Sequence, residues 1–329
     1  SGDGGGHERR MTPEVLILSS LYDFSTDLVC LQLEKMGVPF LRLNREHLHD
    51  CGLTLNPCEP SLIVRMAERT YVIGTKLKSV WFRQPVFLRN TPAVPLPANR
   101  QLERSQWMAF LRGLSVFDHA AWMNFPAKTY LAESKPYQLY TASRCGFEVP
   151  TTLATNDAQQ IRDKFQDSAI IKSLDTVLLL EGEDCLFTYT TLGRTSEISD
   201  NEANEAPFLA QELLKQKTDL RVTLIGDTAF AVKILSKGSG IEGDWRVLPR
   251  DELHYEDVEL SAELRHYCGN LALLLGLSFA AIDLIETPEK IYFIEVNPTG
   301  EWGWINGESR PIDATIASWL ADPPVRTER

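Results

Sequence analysis

Near the C-terminus two apolar runs, "SFAAIDLIE" (278–286) and "IYFIEVN" (291–297), are separated only by "TPEK". Each is long enough for a strand, and so short a connection makes the two a hairpin. Acids inside this apolar pattern limit the fold further: Asp283 lies in the first run, Glu295 in the second, and Asn297 two residues on. An unpaired carboxylate is costly to bury, so these acids need a cation, hydrogen-bond donors or water. Because strand side chains alternate with period two, a hairpin closed at "TPEK" sets Asp283 opposite or diagonal to Glu295, with Asn297 on the same face. Two carboxylates and an amide oxygen then converge, a set of hard oxygen donors suited to Mg²⁺ carrying a nucleotide. The plainer alternative is a pair of half-exposed acids at a strand end.

Cations interrupt other apolar strands. Lys172 stands in "AIIKSL", Lys233 in "FAVKIL" and Arg221 in "DLRVTLIG". Taken singly, each is as well explained by a sheet edge or by a stem that carries its charge out to water. Taken with the acidic hairpin, they point to a metal and nucleotide site.

The chain opens with strand, helix and strand, "PEVLILSS", "STDLVCLQLEKMG" and "VPFLRLN", with Gly37 as the helix stop. Short strands at "SLIVRM", "TYVIG" and "SVWFRQP" precede a helix expected from about Gln101 to Asp118. Residues 1–10, "SGDGGGHERR", read as a tag or disordered leader and 11–125 as one α/β unit. A second unit, 126–206, has a helix capped at Asn156 or Asp157, a strand bearing Lys172, and hairpin turns at Gly182 and Gly193. A third, 207–329, has two strands, the loop "KGSGIEGDWRVLPRDE", a helix expected from Asp257 to Gly276, and the acidic hairpin. Alternating helices and strands give an α/β and α+β protein.

Several function classes drop out. With 33 Lys and Arg against 45 Asp and Glu, the net charge of −12 argues against a nucleic-acid or anionic-membrane partner. No G-x-x-x-x-G-K-[ST] occurs, and the G-x-G-x-x-G at Gly238, Gly240 and Gly243 runs into Pro249 where a phosphate-binding helix would be needed. The 6 cysteines form no C-x-x-C pair, which fits a reduced, cytoplasmic setting. His47 and His49 near Cys51 and Cys58 lack zinc-ligand spacing, and no apolar run spans a membrane.

Together, "VWFRQP", "ESKPYQL", "AIIKSL", "QELLKQKTDLRVTLIGD", "GDWR" and "FIEVNPTGEWGWI" resemble the ATP-grasp fold, and within it the microviridin-type, or graspetide, peptide macrocyclases. The resemblance covers nearly the whole chain from Met11. It implies a Rossmann-like pre-ATP-grasp domain at 11–125 and two α+β subdomains that grip ATP. It implies Lys135 and Lys172 on the phosphates, the "QELL" hinge (Gln211, Glu212, Leu213, Leu214) on adenine, and Asp219 and Lys233 among the nucleotide contacts. Asp283, Glu295 and Asn297 would hold Mg²⁺, with Arg221, Arg246 and Asp244 beside the reacting groups. The chain reads "D-W-R-V" where many relatives have a second arginine, and Gln84 follows Arg83 where many have another.

The activity implied is ATP-dependent activation of Asp or Glu side chains of a ribosomal precursor peptide, followed by ring closure on Ser, Thr or Lys. The partner would be that precursor, a leader plus an acidic core, with the leader docking near residues 177–200; a homodimer is compatible with it. Two alternatives stay open: a RimK-like ligase that joins an amino acid or amine to a carboxylate, and a non-catalytic ATP-grasp-like binding module.

Overall fold

The computed structural model describes residues 9–83, 85, 96–175, 178–181, 184–187 and 191–325. The chain divides into two compact units, one of Ser1–Phe87, Leu96–Pro126 and Glu301–Arg329, the other of Leu88–Pro95 and Ala127–Gly300.

The first unit opens with β1 (Arg9–Met11), β2 (Val15–Ser19), α1 (Phe24–Lys35) and β3 (Phe40–Asn44). It continues through β4 (Gly52–Asn56), β5 (Ser61–Met66), β6 (Arg69–Ile73), β7 (Ser79–Phe82), α2 (Ala98–Gly113) and β8 (Ala121–Met123). Every residue of β2 is buried, as a central parallel strand covered on both faces requires. Its sheet is parallel, in the order β3-β2-β7-β8. A second sheet runs β1-β6-β5-β4. Arg9 and Arg10, set aside above as leader, belong to the fold, because β1 pairs in parallel with β6. A backbone ladder can recruit a charged segment that hydrophobicity does not mark. The long helix ends at Gly113, short of the expected Asp118.

In the second unit α3 (Pro126–Ala132) and α4 (Lys135–Cys145) precede β9 (Thr152–Thr155), α5 (Ala158–Lys164) and β10 (Ser168–Lys172). Next come β11 (Leu178–Glu181), β12 (Asp184–Phe187), β13 (Thr191–Arg194), α6 (Asp200–Glu205) and β14 (Phe208–Gln211). Asp157 caps α5 by accepting the Gln159 N–H at 2.9 Å. The sheet order is β13-β10-β14-β9, with β11 and β12 paired separately. Gly193, expected at a turn, lies inside β13 opposite Ala169. Gly182 and part of the expected leader-docking segment 177–200 lie outside the described residues.

The unit ends with β15 (Thr218–Ile225), β16 (Thr228–Ser236), β17 (Leu253–Asp257), α7 (Ala262–Leu275), β18 (Phe279–Glu286) and β19 (Ile291–Asn297). These strands form an antiparallel sheet in the order β17-β16-β15-β18-β19. The helix expected from Asp257 begins at Ala262, capped by Ser261, because 253–257 is drawn into pairing with β16. One face of the sheet, including Leu220, Val222, Ile282, Leu284, Phe293 and Val296, forms a core with α4 and α7.

After Gly300 the chain rejoins the first unit. There α8 (Ile312–Ala321) buries Ile312, Ile316, Ala317 and Leu320. Ser79 Oγ donates to the Leu320 carbonyl at 2.6 Å, and Gln32 Nε2 to Asp313 Oδ2 at 3.1 Å. Residues from Glu301 on therefore pack with the first unit, whereas the sequence grouped them with 207–300. Arg83, left without a role above, is an internal ion-pair partner: its Nε meets Asp23 Oδ2 at 2.9 Å, both side chains almost fully buried, and its Nη2 lies 3.3 Å from Glu301 Oε1. Among the described residues no helix is long and apolar enough to cross a membrane.

Candidate functional site

The second face of the β17-β16-β15-β18-β19 sheet carries the charged groups. Arg221 lies opposite Asp283, and Asp283 opposite Glu295. Asn297 lies opposite Ala281, one alternation further along the same face. The juxtaposition depends on an irregularity: Leu284 pairs with Phe293, but Asp283 with Glu295, so Ile294 is an extra residue on β19. Without this bulge the regular register would set Ile294 opposite Asp283 and turn Glu295 to the other face.

The two carboxylates share cations. Arg221 Nε lies 3.1 Å from Asp283 Oδ1, and Arg246 Nη2 donates to Asp283 Oδ2 at 2.6 Å and to Glu295 Oε1 at 2.9 Å. Asp244, whose side chain is nearly buried, accepts the Arg246 backbone N–H at 3.0 Å and lies 3.4 Å from its Nη1. Burial pushes the Asp283 carboxyl up against the pull of Arg221 and Arg246. Burial acts on Glu295 in the same sense, but Arg246, Lys135, Lys172 and Arg221 outweigh it and hold this carboxyl below its usual range. For Arg246 burial would lower the pKa; Asp283, Glu295 and Asp244 reverse that and raise it.

Two lysines complete the cluster. Lys172, at the end of β10, donates to Gln211 Oε1 at 2.9 Å, and Lys135, at the start of α4, donates to the Ser173 carbonyl at 2.9 Å. Burial pushes the Lys172 pKa down; Lys135 and Arg246 add to the shift, while Glu295 and Asp283 oppose it. Like charges held this close favour a polyanion between them.

Supporting contacts that the sequence did not reveal fix these groups. Gln211 Nε2 donates to Thr152 Oγ1 at 2.9 Å, so its buried side chain orients Lys172. Gln138, one turn beyond Lys135, accepts the Val296 N–H at 3.0 Å and donates to the Val296 and Ala132 carbonyls at 2.8 and 2.7 Å. It thereby satisfies the outer edge of β19 between Glu295 and Asn297. "ESKPYQL" contains this glutamine, but nothing in the pattern marks it as buried. Thr223, also on the charged face, is fully buried and its hydroxyl has no hydrogen-bond partner among the described residues. Gly300 lies against the face so closely that a Cβ there would come within 2.4 Å of Ala281 Cβ and 3.3 Å of Arg221 Nη1.

Other expected residues fall at differing distances from this cluster. Glu212 Oε1 accepts the Thr151 N–H at 2.8 Å, and Leu213 and Leu214 follow, half-buried, in the connection to β15. Asp219 shares the face of Arg221 and is held by Lys217 at 2.6 Å; burial raises its pKa. Lys233 is a correction. It pairs with Leu220 in register, which places it on the core-facing side of the sheet, and its Nζ meets Glu286 Oε1 at 3.2 Å. Its parity along β16, invisible until the cross-strand register is known, takes it away from the carboxylate face. The G-x-G-x-x-G leads into a 3₁₀ turn, Trp245–Val247, in place of a helix, and a Cβ at Gly240 would meet the Lys217 carbonyl oxygen at 2.1 Å. Gly240 is there for close backbone packing.

Among the described residues no three His, Cys, Asp or Glu side chains cluster as a metal cage. The donor set of Asp283, Glu295 and Asn297 nevertheless fits Mg²⁺: it is all oxygen, and a cationic nitrogen already lies between the two carboxylates. Asp283 Oδ1 is buried without a well-formed hydrogen bond, which leaves it acceptor capacity. Asn297 Oδ1 accepts from the Thr299 N–H at 3.0 Å. The face can therefore hold a divalent cation next to Lys135 and Lys172, which suit phosphate oxygens.

No family model matches the chain. A probable alpha-L-glutamate ligase from Mannheimia succiniciproducens is 26% identical over 195 residues; the match takes in 56% of this chain and spans 63% of the relative's length. A RiPP-associated ATP-grasp ligase of Chryseobacterium gregarium, solved with ADP and a leader and core peptide, superposes with a TM-score of 0.83 at 23% identity, covering 98% of this chain and 99% of that one. The macrocyclase MdnC of Microcystis aeruginosa, bound to its precursor peptide MdnA, gives 0.77 at 21% identity over 93% and 98% of the two chains. The ATP-grasp ligase PsnB, solved with a precursor variant, Mg and ADP, gives 0.71 at 19% over 94% and 98%. The chain has the mixed α/β fold of these ATP-grasp ligases over nearly its whole length.

Proposed function

We propose that this chain with the ATP-grasp fold is an ATP-dependent ligase that activates Asp or Glu side chains of a ribosomal precursor peptide as acyl phosphates and closes ester or amide rings with Thr, Ser or Lys. The observation that carries the reading is the charged sheet face itself: Asp283 and Glu295 opposed across one strand pair, with Lys135, Lys172, Arg221 and Arg246 converging on them. Such a face binds a metal-bridged polyanion and surrounds it with positive charge, which phosphoryl transfer to a carboxylate requires.

Asp283, Glu295 and Asn297 would hold Mg²⁺, which when bound neutralises phosphate charge. Lys172, oriented by Gln211, and Lys135, at the head of α4, would hold the phosphate oxygens. The segment from Gln211 to Leu214 would meet the adenine. Arg221 and Arg246 would draw in the acceptor carboxylate, whose oxygen would attack the terminal phosphorus as the bond to ADP breaks. A peptide hydroxyl or amine then attacks the acyl carbon, losing its proton, and phosphate leaves with the former carboxylate oxygen, so each ring formed converts one ATP to ADP and phosphate and leaves the peptide lighter by the elements of one water. No side chain of the protein need become covalently bonded; its residues position and neutralise. The peptide partners named for the structural relatives support a leader and core precursor as the substrate here.

A RimK-like reading draws support from the glutamate ligase relative. The two separate in one assay: ATP turnover with a precursor peptide and with free glutamate. Dehydration of the peptide, by 18 mass units per ring as about one water each, supports the peptide reading. Turnover with glutamate alone removes it.

A further inference from the structure

Arg246 reaches the sheet from a loop. It stands in the turn Trp245–Val247, within the stretch between β16 and β17. Left-handed backbone at Lys237 (φ 52°), Gly238 (77°) and Gly243 (79°) reverses this stretch, and Gly240 seats it against the Lys217 carbonyl. The guanidinium lies over the Trp245 ring, 5.0 Å from its centroid. Its single nitrogen Nη2 is then 2.6 Å from Asp283 Oδ2 and 2.9 Å from Glu295 Oε1.

Two carboxylates opposed on a buried face need two positive charges. Arg221, from the neighbouring strand, supplies one, and Arg246 supplies the other. A divalent ion held by these two carboxylates would compete for the space that Nη2 fills. The nitrogen and the ion exclude each other by size as well as by charge.

We propose that Arg246 is the resident counter-cation of the Asp283–Glu295 pair, that a divalent metal displaces it, and that only the displaced guanidinium is available to the substrate carboxylate. The inference rests on the metal reading of the site under the proposed function. It imposes an order: metal and nucleotide first, acidic peptide second. A peptide carboxylate arriving early meets an arginine already engaged, so an unactivated core does not occupy the site unproductively.

The test uses the full chain without nucleotide. Mn²⁺ affinity is measured by electron paramagnetic resonance, and indole emission is followed during a Mg²⁺ titration. Arg246→Gln should bind Mn²⁺ more tightly, on the order of tenfold, because a charge-assisted pair no longer has to be broken first. Arg246→Lys, which keeps a charge on a shorter reach, should fall between that variant and the wild type. Mg²⁺ should change the emission of the wild type, and Trp245→Phe should abolish the change. A merely structural arginine would leave affinity unchanged or lower it, so Arg246→Gln binding no more tightly than wild type overturns the displacement. An emission change that survives Trp245→Phe does the same. Asp283→Asn separates the two layers: if it loses Mn²⁺ while Arg246→Gln gains nothing, the displacement alone fails; if it binds like wild type, the metal reading fails with it.

Discussion

Gln138→Leu should destabilise the protein through the backbone of β19. The substitution keeps most of the side-chain volume in a site that is 3% exposed. It removes the partners of the Val296 N–H, the Val296 carbonyl and the Ala132 carbonyl, held at 3.0, 2.8 and 2.7 Å. Each buried backbone group left unpaired costs about 1–3 kcal/mol, so three of them cost at least ~3 kcal/mol if no water enters. At roughly 2–4 °C per kcal/mol for a domain of this size, the melting midpoint should drop by about 6–12 °C. Gln138→Glu retains the acceptor for Val296 but points carboxylate oxygens at two carbonyls, and should be destabilised as well. Scanning calorimetry gives the midpoints, and hydrogen exchange at the Val296 amide should show accelerated opening in both variants. A midpoint for Gln138→Leu within about 1 °C of wild type would refute the argument that this side chain closes the strand edge.

Lys172→Met, which keeps the stem and loses the charge, should weaken ADP binding by about tenfold or more in calorimetry, the worth of one charge-assisted phosphate contact. Because burial lowers the Lys172 pKa, this amine loses its proton at a lower pH than an ordinary lysine; phosphates restore it, so ADP binding at alkaline pH should take up a proton, an uptake absent from Lys172→Met and read from buffers of different ionisation enthalpy. Glu295→Gln should abolish ring formation while leaving the circular dichroism spectrum unchanged, and wild-type turnover would remove Glu295 from the metal set. Thiol labelling at pH 8 should modify exposed Cys58 early and Cys268 last, since burial pushes the Cys268 thiol up to about 12.

The acidic hairpin was legible because two acids interrupt long apolar strands joined by a short connection, although their sharing one face depends on a bulge that alternation alone does not predict. Its register was not: the extra residue at Ile294 is a local backbone event with no side-chain signature. Lys233 illustrates the same limit, since its face follows from pairing with Leu220. Strand β17, "LHYED", is mostly polar and forms only because β16 offers it an edge. Ser261 as the start of α7 was recoverable from its capping position, had the preceding segment not read as helical. Gln138 carries the least sequence signal, and Gln211, picked out only through its place in "QELL", gave no sign of its bond to Lys172, because a buried amide looks in sequence like any surface one.

Hydroxylamine trapping during turnover tests the central claim most directly. With the chain, ATP, Mg²⁺ and an acidic precursor peptide, an acyl phosphate on a core Asp or Glu should be intercepted as a side-chain hydroxamate while ADP accumulates in parallel. Arg246→Ala should form little of either. AMP as the stoichiometric nucleotide product, with pyrophosphate and no ADP, would contradict phosphoryl transfer at this site and the ligase activity proposed from it.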